Sequence, residues 1–579
     1  MINIKENEKL NVLNHSCAHL LAHAVKKLYP NALFWVGPVI EEGFYYDIDL
    51  GEDVIKEEDL VLIEKEMKKI SKDNKRIVRL ESSKSEALEM FKNDPYKLDL
   101  INNMDGSTVI SVYKQDDFAD LCRGPHMEST AYMKYFKLLK VSGAYFKGDS
   151  KNKMLQRIYG ICFEEEAELD KYLNLIEEAK KRDHRKLGRD LDLFFFDETA
   201  PGMPYWLPKG LKMFNTLIAF WRTEHEKRGY QEFSAPQLNS SKLWKISGHW
   251  DHYKDDMFVL TDADGMEQAL KPMSCPNAIK VYASKLRSYR DLPLRFNDVD
   301  VIHRNEASGA LSGLFRVRMF RQDDSHNFIR EDQVKEELNS LFDLALHMYN
   351  VFGLKFKPTL STRPEDFMGD INVWNKAEAE LKEILDDKFG KDKYKINKGD
   401  GAFYGPKIDL YMEDALGREW QMGTFQLDFQ LPLRFDLNYI DEEGKKIRPV
   451  ILHRTIYGSL ERFIGLITEH FAGAFPLWIA PVQVNIIPVN NKFHLDYANK
   501  INGLLFEVGI RTELDSREEK VGYRMRESQV KKIPYTIILG DKEVSDNLVS
   551  YRKYGTEETV SIFKEDFVKL IKEQIKNKD

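Results

Sequence analysis

Apolar residues recur along this chain with two periods, and the changes of period mark its parts. Leu60, Ile63, Met67 and Ile70 recur at helical spacing and predict a helix over residues 57–74. Across 164–189 the pattern Leu169, Tyr172, Leu173 and Ile176 emerges from a charged background, which predicts a helical connector. Before it, β-rich pieces such as "GFYYDIDL" mix with helices, so 1–165 reads as one α+β unit. After it, long helices at 211–228, 331–352 and 373–389 alternate with strand-like runs up to 477. There "LPLRFNDVDVIHRNE" and "FRVRMFRQDDSHNFI" flank the Gly- and Ser-rich "ASGALSG", predicting an antiparallel pair around a loop and a mostly antiparallel sheet. Over 478–579 the order is strand "IAPVQVNIIPV", helix 493–507, strand near "IRTELD", helix 518–531, strand "IPYTIIL" and helix 562–576. That alternation predicts a small α/β domain with a largely parallel sheet. The units are therefore 1–165, a linker 166–189, 190–477 and 478–579.

Composition narrows this picture little. With 42% hydrophobic and 31% charged residues among 579, the chain has apolar area enough to fold. The amino terminus has no apolar h-region for secretion, so a cytoplasmic protein is expected. The stretch "FAGAFPLWIAPVQVNIIPV" contains three prolines together with Gln483 and Asn485, which suits a buried strand and not a membrane span. Four cysteines lie far apart with no CxxC, so any metal must recruit histidines. The net charge of −8 argues mildly against nucleic acid, yet binding follows local patches. "KKRDHRKLGR" is such a patch, with a solvated helix face as its other reading.

Two stretches carry chemistry. In "VIHRNEASGALSGLFRVRMFRQDDSH", Arg304 and Glu306 lie two apart and are expected on one face of a strand, with Arg316 and Arg318 likewise on the next. Guanidinium forks match phosphate oxygens, and Phe320 offers a stacking face for a purine. Arginine hairpins also arise as structural cross-strand pairs. In "HSCAHLLAHA", His15 and His19 stand one helical turn apart, and "DLCRGPH" supplies Cys122 and His126. Spacing alone suggests a four-ligand zinc site. His23 is read as packing.

The first stretch resembles motif 2 of the class II aminoacyl-tRNA synthetases, specifically their threonyl branch. "FSAPQL" with Pro236 resembles motif 1, at the dimer interface, and "GSLERFIGLI" with Arg462 resembles motif 3. "MSCPNA", "GAFYGPKIDL" and "WQMGTFQLDF" also resemble segments of this family, so the likeness covers nearly the whole chain. It implies an α+β multidomain fold: an antiparallel-sheet catalytic core at 190–477, an α+β editing domain at 1–165 and an α/β anticodon-binding domain at 478–579. It also implies a homodimer that activates L-threonine with ATP and Mg²⁺, transfers it to the 3′ end of tRNA(Thr), and works without a membrane.

By that resemblance Arg304 binds the α-phosphate, Glu306 reads the adenine edge, Arg316 meets the γ-phosphate, and Phe320 and Arg462 sandwich the base. Cys275, His326 and His453 form a site for one zinc ion per subunit, with the fourth position open to substrate. The ion chelates the threonine amino and hydroxyl groups. Asp324 holds the amino group; Gln322, Tyr404 and Gln426 complete the threonine pocket. His249 and Lys407 are candidates for transfer and substrate binding. The first domain resembles the editing domain of bacterial members, where His15, His19, Cys122 and His126 line a metal-free pocket that hydrolyses Ser-tRNA, aided by Lys97 and Asp120. Zinc on those four ligands is the alternative. Glu543 and Arg552 fall where the family contacts the anticodon, with Arg524, Arg526, Lys531 and Lys532 as backbone support or as a solvated face.

Some positions depart from the family. Fourteen residues precede His15, so the usual small amino-terminal domain is expected to be missing. Ser274 and Ala278 replace an asparagine and a histidine beside Cys275, Ala307 a proline, and Arg321 a threonine. A non-catalytic RNA-binding relative and a synthetase for another amino acid are the rival readings. An RNA binder needs neither the arginines nor the ligand triad.

Overall fold

The computed structural model describes residues 3–105, 109–414 and 417–578. The chain divides into two units, Met1–Glu178 and Ala179–Asp579.

The first unit is built on the helix Glu8–Leu28. Asn7 caps it by accepting the Leu10 N–H, Glu8 lies at its positive end and Lys26 and Lys27 at its negative end. Leu13, Cys17, Leu20, Leu21 and Ala24 are fully buried against a five-stranded antiparallel sheet and the helix Leu60–Lys72. The predicted helix 57–74 thus begins with a 3₁₀ turn at Glu57–Asp59 and ends at Lys72. A separate three-stranded sheet, Ile77–Ser82, Ile110–Gln115 and Phe118–Leu121, delivers Asp120 and Cys122. Gly124 then turns the chain at φ +69°, where a Cβ would stand 2.1 Å from the Tyr113 hydroxyl. Only glycine lets the loop bring His126 back toward Cys122.

The second unit carries an eight-stranded sheet. Its central order is Leu294–Asp298, Asp324–Ile329, Val450–Thr455, Glu419–Asp428, Lys407–Glu413 and Phe356–Ser361, all antiparallel, with a parallel strand at each edge. The mostly antiparallel expectation therefore holds. Helices Pro208–Glu226, Val334–Asn350, Ile371–Phe389 and Leu460–His470 contribute to one large core with Phe342, Phe425 and Leu452.

Two expectations are corrected. Arg304 and Glu306 are not on a strand: Val301–His303 pairs with Met319–Arg321, and the ladder ends before Arg304. Arg304 N–H still donates to Arg318 O at 2.9 Å, but the Gly- and Ser-rich loop cannot continue the pleat. Arg318 spends its guanidinium inside that loop, on Glu306 O and Ser308 Oγ, and does not share a site with Arg316. The carboxy-terminal sheet is mixed, not largely parallel. Thr512–Leu514, Val484–Pro488 and Tyr535–Leu539 run parallel, and Leu548–Lys553 and Val560–Phe563 then add two antiparallel strands. Asn547 in the left-handed region (φ 55°) turns the chain into the first of these. The final helix consequently starts at Lys564, after Phe563 has ended a strand.

One buried carboxylate ties the sheet together. Asp323 accepts N–H groups from Ile456 (3.0 Å), Gly458 (2.9 Å) and Trp221 Nε1 (3.2 Å), and faces Arg454 at 3.5 Å with neither side chain exposed. Gly458 has φ +69°, and a Cβ there would lie 2.4 Å from Met422 O. Asp323→Ala leaves two amides and a buried arginine without their acceptor. It should destabilise the second unit by about 3–5 kcal/mol, read as a lower urea midpoint by tryptophan fluorescence.

Candidate functional site

A cavity of about 610 Å³ opens in the second unit. One end is basic. Arg304, Arg316 and Arg462 line it with a single acid among them, Glu306, which Arg316 Nε holds at 2.8 Å. Arg304 lies over the Phe320 ring at 5.3 Å. Arg462 comes from the helix Leu460–His470, started by the Ser459 cap, and is anchored by donating to Phe315 O (2.9 Å) and Gln421 O (3.1 Å). Burial, then Arg304 and Arg316, push the Arg462 pKa below its ordinary value. The fold therefore holds cations together against their repulsion, as a polyanion site requires.

The other end is a donor cluster. His326 and His453 are cross-strand partners, and Gln426 is the partner of His453 on the next strand. Cys275 is the first residue of the helix Cys275–Tyr282. One donor atom from each of Cys275, His326 and His453 lies within 4.8 Å of the others. His326 Nδ1 is buried without a hydrogen-bond partner among the described residues. Burial, then His453, pushes the His326 pKa well down, while burial, then Asp324 and Asp428, pushes the Cys275 thiol well up. Asp428 accepts from His453 Nε2 at 2.9 Å and orients that ring. A soft cation fits this set: it supplies the partner the nitrogen lacks, favours the thiolate and offsets the surrounding carboxylates.

Gln322, Asp324, Tyr404, Lys407 and Gln426 also line the cavity. Burial raises Asp324 to about 6. Tyr404 donates to Gln426 at 2.7 Å, and Lys407 pairs with Asp409 at 2.9 Å and Asp400 at 3.4 Å. His249 does not line the cavity. It is fully buried beside Cys275 Sγ (3.9 Å), bonded to Ser247 Oγ and Met273 Sδ, and burial brings its pKa down to about 3.

In the first unit His15, His19, Cys122 and His126 converge within 4.8 Å. Cys122 Sγ lies 3.2 Å from both His15 Nε2 and His126 Nε2, and His126 Nδ1 meets Ser16 Oγ. Beside them Lys97 Nζ reaches Asp120 at 2.5 Å, and His19 lies 3.6 Å from the other carboxylate oxygen. Tyr46 donates to that same carboxylate. Burial lowers the pKa of all three histidines and lifts Cys122 to about 11, so this pocket presents neutral imidazoles beside one ammonium–carboxylate pair. His23 is packed: it stacks on Phe118 and bonds Asp117 and Gln115.

At the carboxy terminus Glu543 accepts from Gly540 N–H (2.8 Å) and Ser550 Oγ (2.5 Å), while Arg552 touches Thr559. Arg526 is exposed, but Arg524 is buried with its guanidinium on Asp515 O and Pro488 O. It braces the ends of two neighbouring strands and is not a contact for an RNA backbone.

Sequence reasoning missed Tyr46, Phe315, Asp298 and Arg454. Tyr46 shares the buried parity of Phe44 and Ile48 in "GFYYDIDL", and that alternation could have flagged a phenol aimed inward. Asp298, bonded by Ser274 and close to Asp324, had no local signal.

Three family descriptions match the chain. "tRNA synthetase class II core domain (G, H, P, S and T)" covers residues 258–471, "Anticodon binding domain" covers 483–574, and "Threonyl and Alanyl tRNA synthetase second additional domain" covers 110–159. Threonine–tRNA ligase of Clostridioides difficile (strain 630) is 50% identical over 581 residues, spanning 100% of this chain and 90% of that one. Its counterpart in Acetivibrio thermocellus is 51% identical over 567 residues, 98% and 88% of the two chains. Among solved structures, the RNA binding domain of threonyl-tRNA synthetase from Cryptosporidium parvum superimposes with TM-score 0.66 at 41% identity, covering 68% of this chain and 98% of that one.

The first-unit histidines set a pH dependence. Their folded pKa values lie below the unfolded value near 6.5, so stability is complete above that pH and declines below it, where only the unfolded chain takes up the protons. Below about pH 6 the first unit should lose up to about 1.4 kcal/mol per pH unit for each of His19 and His126, whose basicity is pushed furthest down, visible as a falling thermal midpoint.

Proposed function

Since the chain belongs to the threonyl-tRNA synthetases of class II, we infer how its own residues divide the work of a threonine–tRNA ligase. It activates threonine with ATP and Mg²⁺, charges tRNA, and carries the domain that edits the product. The observation that carries the assignment of roles is the polarity of one cavity, cationic at one end and thiol–imidazole at the other.

The ATP triphosphate lies in the basic end. Arg304 takes the α-phosphate, Arg316 exchanges its pairing with Glu306 for the γ-phosphate, and the freed Glu306 carboxylate accepts from the adenine amino group. Phe320 and the Arg462 guanidinium cover the two faces of the base. Cys275, His326 and His453 would hold a zinc ion that binds the amino and hydroxyl groups of threonine. Asp324 accepts from the amino group, and Gln426, fixed by Tyr404, fills the pocket around the side chain. With both substrates held, a threonine carboxylate oxygen attacks the α-phosphorus, the bond to the bridging oxygen breaks, and pyrophosphate leaves with the electron pair. Negative charge grows on phosphate oxygens that face guanidiniums, so positioning and electrostatics suffice and no protein base is needed. A hydroxyl of the terminal tRNA ribose then attacks the carbonyl carbon and AMP departs; Lys407 and the buried His249 remain candidates for binding and for that second step.

Specificity requires the other unit. A site built around the hydroxyl rejects valine by roughly 10⁴ to 10⁵, but serine lacks only a methyl, worth roughly 10 to 200 fold. Seryl ester is cleaved in the first unit, where neutral His15, His19 and His126 orient water and Lys97, held by Asp120 and Tyr46, stabilises the developing oxyanion, without metal. We further propose a cytoplasmic homodimer through the segment around Pro236, and anticodon contacts from Glu543 and Arg552. No described helix is long and apolar enough to cross a membrane.

Pyrophosphate exchange should proceed with threonine, far less with serine, and not with valine or proline; exchange driven by proline would overturn the assignment. Cys275→Ala should abolish threonine-dependent exchange and lower bound zinc from one ion per chain to none by metal analysis. Two zinc ions per intact chain would instead put metal in the first unit. Lys97→Ala should slow deacylation of Ser-tRNA by about 10² fold or more while exchange with threonine stays unchanged; unaltered deacylation would remove the editing role.

A further inference from the structure

A closed ring of contacts in the second unit joins the nucleotide end of the cavity to a histidine that the mechanism does not use. His184 opens the short helix His184–Asp190 and is buried. The Leu314 N–H donates to its Nε2 at 3.0 Å, so the ring proton sits on Nδ1, which donates to Glu469 Oε1 at 2.7 Å. The His184 backbone N–H donates to the same oxygen at 3.2 Å. The imidazole packs on Phe315 with centroids 4.3 Å apart, and Phe315 stacks on Trp420 at 4.1 Å. Trp420 Nε1 and Arg418 Nε both donate to Asp414, and Arg418 also reaches the second oxygen of Glu469, which closes the ring.

One member of the ring lines the cavity and a second lies on the helix that carries Arg462. Phe315 lines it, and its carbonyl oxygen accepts from Arg462 Nε at 2.9 Å. Glu469 lies in the last turn of the helix that carries Arg462. The loop between Glu306 and Arg316 is rich in Gly, Ala and Ser and has little side chain to hold it in place. Arg318 holds its start, and its far end is pinned by Leu314, fully buried, with its amide on His184. Gly313 has φ +50°, and a Cβ there would lie 2.3 Å from His184 Nε2, so loop and imidazole are fitted to each other. Asp183, His184 and Glu469 could hold a metal by proximity. Both imidazole nitrogens are already engaged, however, which leaves no lone pair for one.

We propose that His184 is a positioning residue for ATP: by accepting the Leu314 amide it fixes the Phe315 carbonyl and, through it, the Arg462 guanidinium against the base. The proposal rests on the reading of the basic end as the nucleotide site. It predicts a defect in ATP and not in threonine. His184→Asn keeps a donor toward Glu469 but withdraws the acceptor from Leu314; His184→Gln extends an amide oxygen toward that N–H. In pyrophosphate exchange the Asn variant should raise KM for ATP about tenfold, with KM for threonine changed less than about twofold. The Gln variant should recover most of the loss. Glu469→Gln, which keeps an oxygen for Nδ1–H but discards the charge facing Arg418, should raise KM for ATP by about threefold and covers the case in which the Asn variant does not fold. An unchanged KM for ATP in the Asn variant or, where that variant does not fold, in Glu469→Gln would overturn the proposal. So would a parallel rise in both KM values, or a Gln variant no better than Asn. Failure of the unsubstituted chain to activate threonine would count against the reading beneath it.

Discussion

Three guanidiniums are held around the basic end of one cavity with a single carboxylate, Glu306, among them, and the rest of the second unit is arranged to permit this. Arginines so placed repel one another, and the depressed basicity of Arg462 expresses that repulsion together with burial. Two of the three keep their positions without a neighbouring acid. Arg304 donates to Pro272 O, and Arg462 to Phe315 O and Gln421 O, so backbone carbonyls supply the anchoring while the charges remain for a ligand. Backbone acceptors are rigid and carry no net charge, which keeps the field of the cavity positive. Arg316 is more than half exposed where it pairs with the partly buried Glu306, so its guanidinium can exchange partners at modest cost.

Opposite constraints govern the far end of the cavity. There the problem is excess donor lone pairs and carboxylates: Asp298, Asp324 and Asp428 surround Cys275, and His326 Nδ1 lacks a partner among the described residues. Neither end is comfortable alone. A polyanion would satisfy the one and a cation the other. The first unit is different in kind, since its ionic pair Lys97–Asp120 is already neutralised and its imidazoles are uncharged.

Which parts of this were legible in the sequence follows from the range of the forces involved. Helical periodicity located Leu60–Lys72 and Ile371–Phe389 to within a few residues, because burial of one face is a local pattern. Strands Leu548–Lys553 and Val560–Phe563 were missed: each is short, and the polar "RKYGTEET" at their junction interrupts the apolar pattern. Arg304 and Glu306 were assigned to a strand by parity, whereas the glycine-rich loop ends the ladder before them. His326, His453 and Cys275 could be joined only by resemblance, because their register across two strand pairings is a tertiary fact. The resemblance could not show that Arg524 faces inward, where it satisfies the carbonyls of Pro488 and Asp515 at the ends of two strands instead of meeting solvent.

Chemical incompatibility explains why the two sites occupy separate units. Adenylate formation needs an electropositive cavity, where growing phosphate charge is matched and the acyl phosphate is kept from water. Ester hydrolysis needs water to be oriented and lightly basic partners to remain unprotonated near neutral pH. Moving His15, His19 and His126 beside Arg304, Arg316 and Arg462 would lower imidazole basicity further and admit water to an activated intermediate. A chain that must both make and unmake one ester is thus better served by two electrostatic environments, each set by what its own backbone anchors.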